Sequence, residues 1–189
     1  MRVLSTVILT SLGVLPIAFA QSEGLPPEWE VRKNMESLAE SAKRFRPILE
    51  EVKPEDWAAK GAPAGYQRQW KSVVDETGFL IHSSEELAKE PERLTLALET
   101  LFRMQAVDAM LASMDEGVRK YQNPALADLL RSTMSDAAAH VEKLRQYIVS
   151  LAAAKEDELK VMDQEAQRCR AELSRRPAKE PPKNTPEPK

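Results

Sequence analysis

Beyond the first twenty residues, apolar side chains recur every three or four positions, and prolines cut the recurrence into segments. Val31, Met35, Leu38, Ala42, Phe45, Leu49 and Val52 form the first stripe. Tyr66, Trp70, Val73, Leu80 and Leu87 form the second, with Thr77 and Ser84 as polar interruptions. The third runs through Leu94, Ala97, Leu101, Met104, Leu111, Met114, Val118 and Tyr121. The fourth is the longest: Leu126, Leu130, Ala137, Val141, Leu144, Ile148 and Leu151, then Leu159, Met162, Ala166, Cys169 and Leu173. Spacing of this kind gives an α-helix one apolar face to bury. No strand alternation or hairpin dipeptide competes with it.

The prolines mark where each helix begins, because proline is tolerated in a first turn and breaks an interior. Pro26-Pro27 precede a helix from near Glu28. Pro54 opens a short segment with Glu55 and Asp56 in its first turn, ended by Gly61 and the turn at 61–65. Pro91 is expected to start the third helix. Asn123-Pro124 starts the fourth, as N-cap and first helical residue. Pro47 lies inside the first run and predicts a kink one turn earlier, near Lys43.

Connections this short make neighbouring helices antiparallel, so the expected fold is an all-α, up-and-down bundle of about four helices. Its C-terminal helix is over-long: near fifty residues span about 75 Å, against about 36–45 Å for the others. The excess either folds back on the first helix or leaves the bundle. In the second case it projects, bends near Ala152-Ala153-Ala154, or finds another chain. Residues 155–176 are densely charged, with Glu156 and Lys160, and Glu172 and Arg176, at the favourable i,i+4 spacing.

Both ends differ from the middle. Arg2, the apolar run from Val3 to Phe19 and the small residues of Ala18-Phe19-Ala20 predict a secretory signal peptide over residues 1–20, cleaved after Ala20. Gly13 and Pro16 interrupt the run, which argues against a membrane anchor. The mature chain is then expected in a periplasm or outside the cell, with no transmembrane segment. Residues 21–173 form the bundle domain. Residues 174–189 carry five prolines and no large apolar side chain, which predicts a disordered Pro/Lys/Glu-rich tail, passive or acting as a tether or partner ligand.

Composition adds exclusions. With 42% hydrophobic and 30% charged residues among 189, the chain is globular in type, and a net charge of −3 disfavours nucleic acid as a partner. One cysteine cannot build a disulfide scaffold, so packing must supply the stability.

Candidate chemistry is sparse. Neither histidine, His82 or His140, has a glutamate three positions before it, which removes a di-iron site of the Glu-x-x-His type. His140 with Lys143 lacks the glycine expected after the lysine of a phosphotransfer helix. A Met35–His140 haem pair competes with His140 as a core-edge residue. Met104, Met110 and Met114 share one helix and suit Cu(I), but methionine also fills cores. The low-probability metal candidates are therefore Met110, Met114 and His140, and no cofactor is expected. There is no nucleophile elbow and no phosphate-cradling glycine loop. Asp108 and Asp115 read as boundary residues of the third helix. Cys169 reads first as a buried small hydrophobe, then as one half of an intermolecular disulfide, then as a reactive thiol. Trp29, Trp57, Trp70, Tyr66, Phe45 and Phe79 predict an aromatic cluster at one bundle end, with a ligand pocket as its functional alternative.

These residues lead to an expectation of a non-enzymatic, exported interaction protein. It would bind a protein partner or itself through Leu159, Met162, Ala166, Cys169 and Leu173. The alternative is a periplasmic bundle that binds a small ligand or a metal, Cu(I) or haem.

Overall fold

Four helices pack in a ring, each against the two beside it, in the order α1 (Glu28–Glu50), α2 (Gly65–Lys89), α3 (Leu94–Tyr121) and α4 (Pro124–Arg175). A 3-10 helix, Pro54–Lys60, joins α1 to α2 and packs on α2. The computed structural model describes residues 24–175. The expected signal peptide at 1–20 and all but the first two residues of the expected tail lie outside the described residues. Ser174 and Arg175 belong to α4. Successive helices alternate in direction, which makes the up-and-down bundle that the apolar periodicity predicts.

The stripes become the core. Val31, Met35, Leu38, Phe45, Leu49 and Val52 are all buried, as are Val73, Leu80 and Leu87 opposite them. The polar interruptions of the second stripe are buried too. Thr77 Oγ1 donates to the Val73 carbonyl and Ser84 Oγ to the Leu80 carbonyl, each at 2.8 Å, so the hydroxyls satisfy themselves on their own helix. Thr100 does the same on α3, donating to the Leu96 carbonyl at 2.9 Å. Among the described residues, no buried side-chain polar atom lacks a partner.

The boundaries follow the prolines with one difference, at Pro91. Asn123 caps α4 as its side chain predicts, Oδ1 accepting from the Ala125 N–H at 2.9 Å. Pro91 does not start α3. It occupies a turn closed by the Arg93 N–H on the Glu90 carbonyl at 3.2 Å, and α3 begins at Leu94. The buried Tyr147 hydroxyl donates to the Pro91 carbonyl at 2.7 Å, so α4 ties down this turn and uses the residue that sequence alone assigned to the helix. Pro47 lies within α1, which runs through it to Glu50.

At the opposite end, the 3-10 helix closes the bundle. Trp57, Tyr66 and Tyr121 form the aromatic cluster, with ring centroids 5.4 to 6.1 Å apart. Trp29 and Phe79, expected in it, are instead 66% and 53% exposed. Trp29 sits in the first turn of α1, at the far end of the bundle, and the Phe79 ring carries the Arg103 guanidinium 5.0 Å from its centroid. Tyr121, from the end of α3, takes their place. Gln122 locks the arrangement: its Oε1 accepts from Trp57 Nε1 at 3.1 Å and from the Lys53 N–H at 2.9 Å, and its Nε2 donates to the Glu51 carbonyl at 2.6 Å.

Candidate interaction surface

Helix α4 is uninterrupted for 52 residues, but only its first part belongs to the bundle. Leu144, Tyr147, Ile148 and Leu151 are buried, and Leu151 is the last buried residue of α4. From residue 156 to residue 175 every residue is exposed. At 1.5 Å per residue the stretch after Leu151 extends about 36 Å beyond the α2–α3 turn. The alternative in which this segment folds back on α1 is thereby overturned, and α4 is assigned as helix without interruption through Ala152-Ala153-Ala154. Alanine is the best helix former, so three in a row carry the helix out of the bundle rather than ending it.

All five residues of the expected interaction stripe lie on this projection. Leu159 and Leu173 are each 64% exposed, Met162 is 60% exposed, and Ala166 and Cys169 are exposed with them. The reading of Cys169 as a buried core residue is corrected: the stripe that carries it continues past the helices that would have covered it. Exposed charged pairs flank the stripe, Lys155 with Glu158 at 3.1 Å and Arg168 with Glu165 at 2.9 Å. Such surface pairs contribute little stability. Left uncovered, the stripe holds apolar side chains in water, where burial would be favourable.

The second feature is a groove between α3 and α4 with a volume near 750 Å³. Its floor is apolar, formed by Trp70, Met104, Leu111, Met114, Met134 and Val141. Ala138 and Val141 line it from α4. Charged groups sit on its rim. Asp115 binds Arg119 of its own helix and Arg131 of α4, both at 2.8 Å, while Arg119 also reaches Asp128 at 2.5 Å. The hydrogen bond from Arg119 holds the Asp115 carboxyl below the usual carboxylate range, with Arg131 adding to it and burial opposing. These pairs tie α3 to α4 beside their connecting turn and leave the seam open further along. Asp108 stands on the rim, exposed, consistent with a boundary position.

The structure does not assemble the metal candidates. Met114 lines the groove, and Met110 packs at the core edge outside its lining. His140 faces α1, with Nδ1 and Asn34 Oδ1 2.8 Å apart and Asn34 Nδ2 donating to the His140 carbonyl at 3.0 Å. It lies about 13 Å along α4 from Arg131, the residue level with Asp115 and hence with Met114. Met35, the other haem candidate, is fully buried, and neither it nor His140 lines the groove. Among the described residues, no three His, Cys, Asp or Glu side chains group as metal ligands would.

The groove escaped the periodicity because its floor residues belong to the same stripes as the core. The weak sequence trace of it is the run of small residues at 137–139, which leaves α4 thin opposite α3. No family model matches this chain, and neither a curated protein nor a solved structure matches it.

Proposed function

We propose that this chain is a non-enzymatic interaction protein, exported to the cell envelope or secreted space, whose α4 projection binds a protein partner or a second copy. The observation that carries the reading is the stripe Leu159, Met162, Ala166, Cys169 and Leu173, exposed along a helix that nothing among the described residues covers. Helix-in-groove and helix-on-helix recognition use anchors at this i, i+3, i+7 spacing. The apolar run before Ala20 supports export, and among the described residues no helix is long and apolar enough to cross a membrane. A photo-activatable residue at Met162 should yield one defined protein adduct in the native compartment, lost in Leu159→Glu. Absence of any adduct would remove the reading. Mass measurement of the exported chain, expected to begin at Gln21, tests the compartment separately.

The α3–α4 groove supports a second reading, a carrier of a small apolar ligand, since its volume falls within the range typical of ligand pockets. A solvatochromic apolar probe should bind the native chain at one to one and be displaced in Ala138→Phe, which fills the groove. Equal binding by both proteins would retire this reading without touching the first.

A further inference from the structure

The face of α4 that leaves the bundle is the same face that is buried within it. At about 100° per residue, the five exposed stripe residues fall in a sector of about 80° that also holds buried Leu144, Ile148 and Leu151. A helix covering the exposed stripe therefore lies on the prolongation of the bundle core, end-on to the α2–α3 turn. A second copy running parallel is blocked there, because its own residues 124–151 would have to occupy the space of α1, α2 and α3. Among the described residues, a second copy running antiparallel meets no such obstacle: its bundle lies beyond Arg175 of the first helix.

Resting on the interaction reading above, we infer that the occupant of the stripe is a second copy of this chain in antiparallel orientation, with Leu159 of each copy against Cys169 of the other. Met162 then faces Ala166 across the two-fold axis. In this register Arg175, the last described residue of α4, comes level with Ala153 of the second copy, where the other bundle begins. The aliphatic stem of Lys155 covers Leu173.

Charge supports the same orientation. Residues 152–165 hold five acidic and two basic side chains, whereas residues 166–175 hold three arginines and one acid. Antiparallel overlap sets the acidic half of each helix against the basic half of the other, and parallel overlap sets like on like. It also brings Arg168, Arg170 and Arg175 toward a bundle end that carries Glu28, Glu30 and Glu92. Of the cations near that end, Lys89 and Arg93 are engaged by Glu86 and Glu90 at 2.7 and 3.2 Å, and Arg32 and Lys33 lie one turn further along α1. Opposed helix dipoles add to the preference. On one flank Glu156 then meets Arg170, whereas on the other Glu158 meets Glu172, and Asp163 and Glu165 approach their own copies near the axis; these like-charge contacts keep the pairing moderate and reversible.

The arrangement reverses the expected role of Cys169. The two thiols stand about 15 Å apart along the helices, too far for a disulfide, whose Cα atoms lie within about 7 Å. The test is oxidation of the purified full chain at several concentrations, with sedimentation alongside. Unmodified chain should sediment as a concentration-dependent dimer and form no cross-link. Leu159→Cys, which keeps Cys169, should cross-link, and Leu159→Cys with Cys169→Ser should not. Glu156→Arg should weaken the dimer at least several-fold, and Arg170→Glu added to it should restore pairing. A Cys169–Cys169 cross-link in unmodified chain would overturn the antiparallel register, and a monomer at all concentrations would overturn self-pairing. If Met162 photo-cross-linking then gives an adduct to a different protein, the interaction reading survives without self-pairing. If it gives none, both fall.

Discussion

Gly117 stands on α3 where Tyr66 of α2 and Trp57 of the 3-10 helix close on it. A Cβ there would lie 2.7 Å from Tyr66 Cε1 and 3.0 Å from Trp57 Cζ3. Neither ring can swing away, because each is packed against the other and against Tyr121. Alanine normally stabilises a helix over glycine by about 1 kcal/mol, but overpacking here costs about 1–3 kcal/mol. Gly117→Ala should therefore lower the unfolding midpoint in urea, while Gly78→Ala, with nothing within 4 Å of the new methyl, should raise it. His140 gives the second residue-scale prediction. Burial first, then Lys143 and Arg44, hold its imidazole below the ordinary value. The unfolded chain thus takes up a proton that the folded chain resists, so His140 contributes stability above about pH 6.5 and loses it as the pH falls from there. Thermal unfolding between about pH 7.5 and pH 5 should show a downward slope that flattens in His140→Gln.

At the scale of elements, α4 joins two regimes in one uninterrupted helix. Up to Leu151 it is held by burial, and beyond that by helix propensity and surface charge pairs. Leu144→Ala, at a fully buried position, should cost about 2–5 kcal/mol. Among the described residues, truncation after Ala154 removes only ones that bury almost nothing in the single chain, and it should change the stability of an isolated monomer by no more than about 0.5 kcal/mol. Equilibrium denaturation at low protein concentration separates the two. A large loss on truncation would mean that the projection packs on the bundle after all. The sequence showed both parts of the helix, since stripe and cap are local properties. It could not show where cover ends, because the lengths of α1 and α3 and the position of the α2–α3 turn decide that. Pro91 illustrates the same limit at an element boundary: proline is equally suited to a first helical turn and to the second position of a β-turn, and the hydrogen bond from Tyr147 selects the turn.

For the whole molecule, the projection sets the dimensions. Helix α4 alone is about 78 Å long, and two copies paired antiparallel through their projections would span about 120 Å, with a bundle at each end. The maximum dimension in small-angle scattering should rise toward that value with concentration. A dimension that stays near 80 Å would contradict the antiparallel pair. What the sequence by itself determined is the set of faces that must leave water: spacing every three or four residues selects them, proline and Asn123 bound them, and both facts are encoded within a few residues of chain. What only the tertiary structure decided is which of those faces found cover. The stripe reads the same through Leu151 and through Leu173, and the same through Leu144 and Met114. Yet one end projects into solvent and one seam stands open, because burial depends on how far partner helices reach and how closely they approach. Those distances are set by side chains remote in sequence, among them Ala138 opposite α3 and Tyr147 on the turn at Pro91.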